Sequence, residues 1–229
     1  MNKLLKGLAV LAVIVAVILM ALPTILHKAG LHPEYAGATT EGGEIPVDPQ
    51  SFYFMIRTPE DERFQQDQVF QAKVKNSLKI DDVDMSQYDV VFLAGGWGAA
   101  YDLGQSPALA SKISEAFYSE RSPVIGGVCH GVLGLINAKD REGNLLIAGR
   151  KMTGVTDKQI KELNIEITPL HPETELRKAG VKFESGTAFR DIFATHVVVD
   201  DEKRFVTGQN QNSGHETAQK MMAVIAQRQ

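Results

Sequence analysis

Only one cysteine, Cys129, occurs among the 229 residues, so no intramolecular disulfide can form. Any chemistry of this residue is that of a thiol. The chain also lacks an excess of basic residues, because 24 Lys and Arg stand against 28 Asp and Glu without forming a basic stripe. Nucleic acid is therefore not predicted as a partner.

Histidine is scarce as well, with six residues scattered along the chain. No pair of His or Cys side chains has the separation that zinc sites use, and His171, His196 and His215 show no ligand spacing. We therefore predict that the protein holds no metal.

A long apolar run occurs at the N-terminus. The segment from Leu8 to Leu26, LAVLAVIVAVILMALPTIL, is about long enough to cross a bilayer as a helix. Lys3 and Lys6 precede it, which also suits a signal peptide, but no convincing A-x-A cleavage site follows. We predict an uncleaved single-pass membrane anchor through residues 8–26, with the remaining chain on the outer face of the membrane.

The chain divides into three parts on composition. We predict the anchor at residues 1–28, a glycine-containing tether without apolar periodicity at 29–41, and one α/β domain at 42–229. The length of the third part suits a single hydrophobic core.

Alternating strands and helices are predicted within that domain. Thr58-Pro59 opens a helix that runs to about Leu78. Continuous apolar runs at 90–94 and 123–128 indicate buried strands, and the helix between them begins at Ser106-Pro107. This order of elements implies a parallel sheet.

The remaining part of the domain contains further elements of both kinds. A helix is predicted from His130 to about Ala138, short helices between 157 and 180, and strands at 196–200 and 204–207. Ser213 and Glu216 have the spacing of a capping box before a final amphipathic helix.

The chemistry of the chain is predicted at Gly127-Val128-Cys129-His130-Gly131. This G-x-C-x-G sequence stands where a buried strand passes into a helix, which is the arrangement of a nucleophile elbow with cysteine in place of serine. A thiol at a helix N-terminus is favoured as thiolate. The alternative is that Cys129 is only a small buried apolar residue.

Two neighbours of the thiol are candidate site residues. The imidazole of His130 could act as a base for Cys129, or His130 could merely cap the helix. The glycine loop at Gly95-Gly96-Trp97-Gly98 ends the adjacent strand at the same sheet edge. A backbone N–H from this loop, together with that of His130, could form an oxyanion hole.

Five segments make the chain resemble the ThiJ/PfpI family of the class I glutamine amidotransferase-like superfamily, in particular the subgroup related to glyoxalase III and stress-inducible chaperones. The segments are GGEIPVDPQSF, VVFLAGGWGAAYDL, VIGGVCHGVLGL, MTGVTD and RFVTGQNQNSGHETA. The resemblance implies a flavodoxin-like three-layer sandwich that usually dimerises. It also implies Cys129 as nucleophile, His130 as its partner and the amide of Gly96 as an oxyanion-hole donor, without a cofactor.

Two parts of the family pattern are not found. The family begins with a strand, a helix and a second strand, and too few residues separate the predicted anchor from GGEIPVDP to hold this unit. The unit carries a glutamate that hydrogen-bonds the cysteine, and Glu34, Glu41 and Glu44 stand in the wrong context for it. The acidic third member of the triad would follow MTGVTD, where Asp157 and Glu162 occur without aligning cleanly.

The favoured hypothesis is a glyoxalase III-like or deglycase-like enzyme, in which Cys129 adds to the aldehyde of a small α-oxoaldehyde. A second hypothesis is a non-catalytic stress or redox module held at the membrane, in which the thiol is at most an oxidation sensor. A third is a thiol amidase or peptidase, since the same elbow serves acyl transfer. Glutamine amidotransferase activity is disfavoured because no distant His-x-Glu pair is present.

Overall fold

A computed structural model of the chain describes residues 9–13, 34–45, 59–165 and 167–228. The strands within these ranges are β1 Ala9–Val13, β2 Glu34–Thr39, β3 Leu78–Lys79, β4 Val90–Leu93, β5 Val124–Val128, β6 Lys151–Met152, β7 Lys182–Phe183, β8 Val197–Val199 and β9 Phe205–Gly208. The α-helices are α1 Pro59–Gln66, α2 Gln68–Lys75, α3 Pro107–Phe117, α4 Asp157–Glu162, α5 Pro172–Lys178 and α6 Gly214–Gln227.

Seven of these strands form one sheet in the order β3-β2-β1-β4-β5-β9-β8. Every neighbouring pair is parallel except β8 and β9, which are antiparallel. Strands β6 and β7 pair with each other outside this sheet. The prediction of a mostly parallel, flavodoxin-like sheet is therefore confirmed, with an antiparallel strand at one edge.

The core lies on both faces of the sheet. In β4, Val91 and Leu93 belong to a cluster that includes the buried side chains of α3, whereas Val90 and Phe92 belong to a second cluster with those of α6. Successive side chains of a strand point to opposite faces, so a strand covered on both faces is apolar throughout. This explains the continuous apolar run and gives the three layers of the fold.

The N-terminal segment requires a correction. Ala9–Val13 forms β1, which pairs with β2 on one side and β4 on the other, so the two strands that we expected to be missing are present in the sheet. A run of Ala, Val, Ile and Leu suits a fully buried parallel strand as well as a membrane helix, and apolar periodicity does not distinguish the two. The rest of the predicted anchor, residues 8 and 14–26, lies outside the described residues.

The prediction of a single-pass membrane protein with its domain on the outer face is wrong. The start of the apolar run lies inside the sheet. In addition, no helix among the described residues is long and apolar enough to cross a bilayer. The boundaries at residues 28 and 41 stay predictions, although β2 falls within the predicted tether.

Several local predictions differ from the structure in detail. The helix predicted from Thr58 to Leu78 is two helices, because the carboxylate of Asp67 accepts hydrogen bonds from the amides of Val69 and Phe70 and so begins α2. The predicted capping box before α6 does not form. Ser213 Oγ instead accepts a hydrogen bond from the amide of the β8-flanking residue His196.

Candidate active site

The chain turns at Cys129, directly after the fully buried strand β5. Cys129 has a φ of 57°, a left-handed conformation that residues with a side chain rarely adopt. A 3₁₀-helix at Cys129–Leu135 follows in place of the predicted α-helix. The strained backbone at this position is that of a nucleophile elbow, in which the surrounding fold holds one residue in an unfavourable conformation.

The glycines on either side of the cysteine are required by packing rather than by their own dihedral angles. A Cβ on Gly127 would lie 2.4 Å from the carbonyl oxygen of Leu93, and one on Gly131 would lie 2.3 Å from the same oxygen. A Cβ on Gly95 would lie 2.8 Å from Cβ of Cys129. Glycine at these positions therefore allows the backbone of the elbow to contact the end of β4 closely.

Two backbone amides point at the thiol. The N–H groups of His130 and Gly96 both hydrogen-bond the sulfur of Cys129 and act to lower its pKa. Gly96 has φ 113° and ψ 150°, a conformation that is essentially restricted to glycine. The structure thus brings together Cys129, His130 and Gly96, the three residues that the sequence nominated.

The side chains of Cys129 and His130 also meet, with 3.5 Å between Sγ and Nδ1. Both residues are buried, with 9% and 3% of their surface exposed. Burial raises the pKa of Cys129 to about 11 despite the two amides, and burial together with the charge of His171 lowers the pKa of His130 to about 4. At neutral pH the pair is therefore a thiol and a neutral imidazole, not the thiolate expected from a helix dipole.

The second nitrogen of His130 does not take part in the contact with the thiol. His130 Nε2 is buried and unpaired among the described residues. Neither of the acids considered from the sequence hydrogen-bonds it. Asp157 accepts a hydrogen bond from the hydroxyl of Thr174, and Glu162 accepts one from the backbone amide of Asp191. The position of an acidic third member is therefore not filled by either residue.

The glutamates near GGEIPVDP do not reach the thiol either. Glu41 and Glu44 are exposed. The groups that shift the pKa of Cys129 are its own burial and the two amides, with no carboxylate among them in the described part of the chain. Within the same ranges, no three His, Cys, Asp or Glu side chains come together in a way that could hold a metal ion.

One residue near the site was not singled out from the sequence. His171 precedes α5, and its Nδ1 lies 3.6 Å from Oδ1 of Asp157. After burial, the positive charge that its ring carries when protonated is the second cause that lowers the pKa of His130. No motif joins residues 130, 157 and 171, because they come together only when α4 and α5 pack near the elbow.

Trp97 follows Gly96 in the glycine loop and is 40% exposed. Tyr101 is more exposed, and its hydroxyl donates a hydrogen bond to the backbone carbonyl of Ile167. These side chains place aromatic surface near the loop that supplies the Gly96 amide.

Comparison with curated proteins gives relatives with a shared activity in their names. The chain is 30% identical over 164 residues to Glyoxalase 3 of Candida albicans, covering 68% of this chain and 66% of that protein. It is 29% identical over 172 residues to a probable glutathione-independent glyoxalase of Schizosaccharomyces pombe, covering 69% and 61%. The chain thus spans less than two thirds of the length of these relatives.

Comparison with solved structures extends the likeness to nearly the whole chain. The Rapid Encystment Protein 24 KDa of Francisella tularensis superposes with a TM-score of 0.80 at 26% identity, covering 95% of this chain and 99% of that one. The sequence model of the DJ-1/PfpI family matches residues 16–224. With its elbow cysteine, parallel sheet and this match over most of its length, the chain belongs to the DJ-1/PfpI family.

Proposed function

We propose that the protein is a cofactor-independent, glyoxalase III-like enzyme that converts small α-oxoaldehydes to hydroxy acids through Cys129. The observation that carries the proposal is the convergence of Cys129 Sγ, the imidazole of His130 and the amides of Gly96 and His130 at one elbow. The names of the curated relatives support the same reaction, since both are glyoxalases.

The first step is addition of sulfur to the aldehyde. The neutral imidazole of His130 accepts the thiol proton while Sγ attacks the aldehyde carbon, and that proton then passes to the aldehyde oxygen, which gives a hemithioacetal. A resting thiol suits this route, because the base removes the proton only as the C–S bond forms. The amides of Gly96 and His130, which bond Sγ at rest, are the donors available to the developing alkoxide.

The second step is an internal oxidation and reduction that needs no external carrier. The proton on the former aldehyde carbon is removed and a proton is returned to the neighbouring carbonyl carbon, so that the first carbon becomes a thioester and the second an alcohol. Water then cleaves the thioester, releasing the hydroxy acid and restoring the thiol. No electrons leave the substrate, which is consistent with a reaction that uses neither cofactor nor glutathione.

The test uses the full chain with methylglyoxal and no glutathione, and follows lactate. We expect turnover by the wild type and a loss of at least about 10³-fold in Cys129→Ala, since removing a nucleophile leaves only residual catalysis. His215→Ala, which changes an exposed histidine at the start of α6, serves as the matched control and should retain activity. Lactate formation at equal rates by wild type and Cys129→Ala would disprove the proposal.

A second candidate function is a non-catalytic stress or redox module. The observation that favours a non-catalytic role is the unactivated state of the site, in which burial raises the pKa of Cys129 and His130 Nε2 has no partner among the described residues. The same burial opposes oxidation of the thiol, so a redox role needs direct evidence. Sulfenic acid formed on Cys129 at low peroxide, without any turnover of aldehydes, would support this function over the enzyme.

A further inference from the structure

The proposed reaction requires the buried imidazole of His130 to carry a proton on Nε2. If Nδ1 accepts the proton of the thiol, Nε2 carries the other proton, and that N–H is buried without an acceptor in the described structure. An unsatisfied buried donor is unfavourable, and it also leaves the orientation of the ring unsupported. A catalytic histidine is normally held by a group on its far side.

An unpaired buried acceptor lies on a neighbouring element. Asp157 Oδ1 has no hydrogen-bond partner among the residues that the structure describes, although Oδ2 of the same carboxylate accepts a hydrogen bond from the hydroxyl of Thr174 at 2.8 Å. The ring of His171 stands 3.6 Å from Asp157 Oδ1, just beyond hydrogen-bond distance. His171 is also near enough to His130 for its charge to affect that imidazole.

Packing fixes these groups against the elbow. The side chain of Leu170 fills the space above Gly104 next to Leu133 of the elbow 3₁₀-helix. On the other side of His171, helix α5 packs on the same 3₁₀-helix. The loop before Asp157 approaches closely too, since a Cβ on Gly154 would lie 3.5 Å from the carbonyl oxygen of Cys129. His171 and Asp157 are thus carried on segments held against the elbow.

We propose that His171, backed by Asp157, takes the place of the acidic third member of the triad and positions His130. In this arrangement one imidazole nitrogen of His171 accepts the N–H of His130, and the other donates its proton to Asp157 Oδ1, which lies 3.6 Å from His171 Nδ1. Both unpaired buried atoms are then satisfied by one side chain. His171 is 42% exposed on its side chain, which leaves it free to adopt this arrangement.

The proton that leaves Cys129 stays within the group formed by Cys129, His130, His171 and Asp157. When His130 takes the proton of Cys129 it becomes an imidazolium, and its Nε2–H bonds to neutral His171, which in turn is held by the carboxylate of Asp157. The positive charge is stabilised through one imidazole by a negative charge, and no net proton is gained or lost. His171 acts through His130 and is therefore a positioning residue.

This inference rests on the proposed function, but it has a readout that does not depend on turnover. Because Cys129 is the only thiol, its alkylation by iodoacetamide reports directly on how well His130 accepts its proton. In the full chain at pH 7, we expect His171→Ala to lower the alkylation rate and kcat by roughly 10–100-fold, with KM changed less than about threefold. Added imidazole should restore much of both losses.

Three further variants sharpen the test. Asp157→Asn should give a smaller loss in the same direction, whereas His215→Ala should change neither readout. Thermal unfolding of His171→Ala should match that of the wild type, since a half-exposed side chain is removed. Imidazole rescue separates proton handling from a structural role, because a misfolded site is not repaired by a small base.

The two proposals fail in different ways. If His171→Ala loses alkylation and imidazole restores it, the positioning role is supported. If the wild type at the same time turns over no aldehyde, the glyoxalase proposal is overturned. An alkylation rate unchanged by His171→Ala, or lowered without rescue, would overturn the positioning role even if the wild type makes lactate.

Discussion

Cys129 Sγ lies 3.5 Å from Nδ1 of His130, and burial moves the pKa values of the two groups in opposite directions, to about 11 and about 4. Both shifts favour the uncharged form, as expected for groups removed from water. The resting site is therefore a neutral pair that separates charge only when a substrate arrives. This property distinguishes it from sites in which a cysteine is held as thiolate by a nearby cation.

Alkylation of the native thiol should be slow. With a pKa of about 11 in the fold against 9.0 for an unperturbed thiol, the thiolate fraction at pH 8 is about 100-fold lower in the native chain than in the unfolded one. We expect iodoacetamide to modify Cys129 correspondingly more slowly in buffer than in denaturant, with the native rate still rising above pH 9. Equal rates in the two states at pH 8 would contradict the burial of the thiol.

Acid should destabilise the fold through His130. Its pKa is about 4 in the folded state and 6.5 when unperturbed, so the unfolded chain binds the extra proton between these values. The free energy of unfolding should therefore fall as the pH drops from about 6.5 towards 4, by at most about 3 kcal/mol from this residue. Denaturant unfolding from pH 7 to pH 4.5 measures the slope. His130→Gln should flatten it, whereas replacing the exposed His215 by Gln should not.

Adding a methyl group at Gly131 should disrupt the elbow. A Cβ there would lie 2.3 Å from the carbonyl oxygen of Leu93, and a backbone atom in a central strand cannot move aside. We expect Gly131→Ala to cost more than about 3 kcal/mol of stability and to abolish turnover. Gly143→Ala is the control, since it has φ +87° but open space around it and should cost about 1 kcal/mol. Denaturant unfolding of both variants gives the comparison, and equal small losses would argue against the close contact.

Two adjacent acids in the β8–β9 turn should contribute very different amounts to the free energy of unfolding. Asp200 is 2% exposed, bonds the guanidinium of Arg150, and accepts hydrogen bonds from the amides of Arg204 and Phe205. Its neighbour Asp201 pairs at the surface with the half-exposed Lys151. Asp200→Ala should lose about 3–5 kcal/mol, because it leaves two amides unpaired and removes the buried carboxylate that pairs with Arg150, whose other partner Glu202 is exposed. Asp201→Ala should lose less than about 1 kcal/mol. Similar unfolding midpoints for the two variants would contradict this account.

The homodimer implied by the family resemblance stays a prediction. The exposed aromatic residues Phe189 and Phe193 lie on the described surface. Sedimentation of the purified chain would decide the oligomeric state.

The sequence by itself determined the chemistry-bearing elbow. The G-x-C-x-G sequence after a buried strand predicted Cys129 and His130, and the glycine loop predicted a backbone amide beside them, which the family resemblance identified as that of Gly96. Close packing at the end of parallel strands requires small residues, and these are visible in the sequence. Helix α3 and the strands β8 and β9 were likewise predicted from capping residues and apolar runs, although the pairing of the two strands was not. Such features depend on short stretches of chain, and for that reason they can be predicted without a structure.

Only the tertiary structure showed that the start of the N-terminal apolar run forms a strand, and which residues lie near His130. An apolar segment of Ala, Val, Ile and Leu fits a bilayer and the centre of a parallel sheet equally well, and pairing of Ala9–Val13 with β2 and β4 is a long-range event. The approach of His171 and Asp157 to His130 depends in the same way on how α4 and α5 pack against the elbow. The pKa values were equally beyond the sequence, because burial in the completed core, not the helix that follows the cysteine, sets the protonation of the thiol.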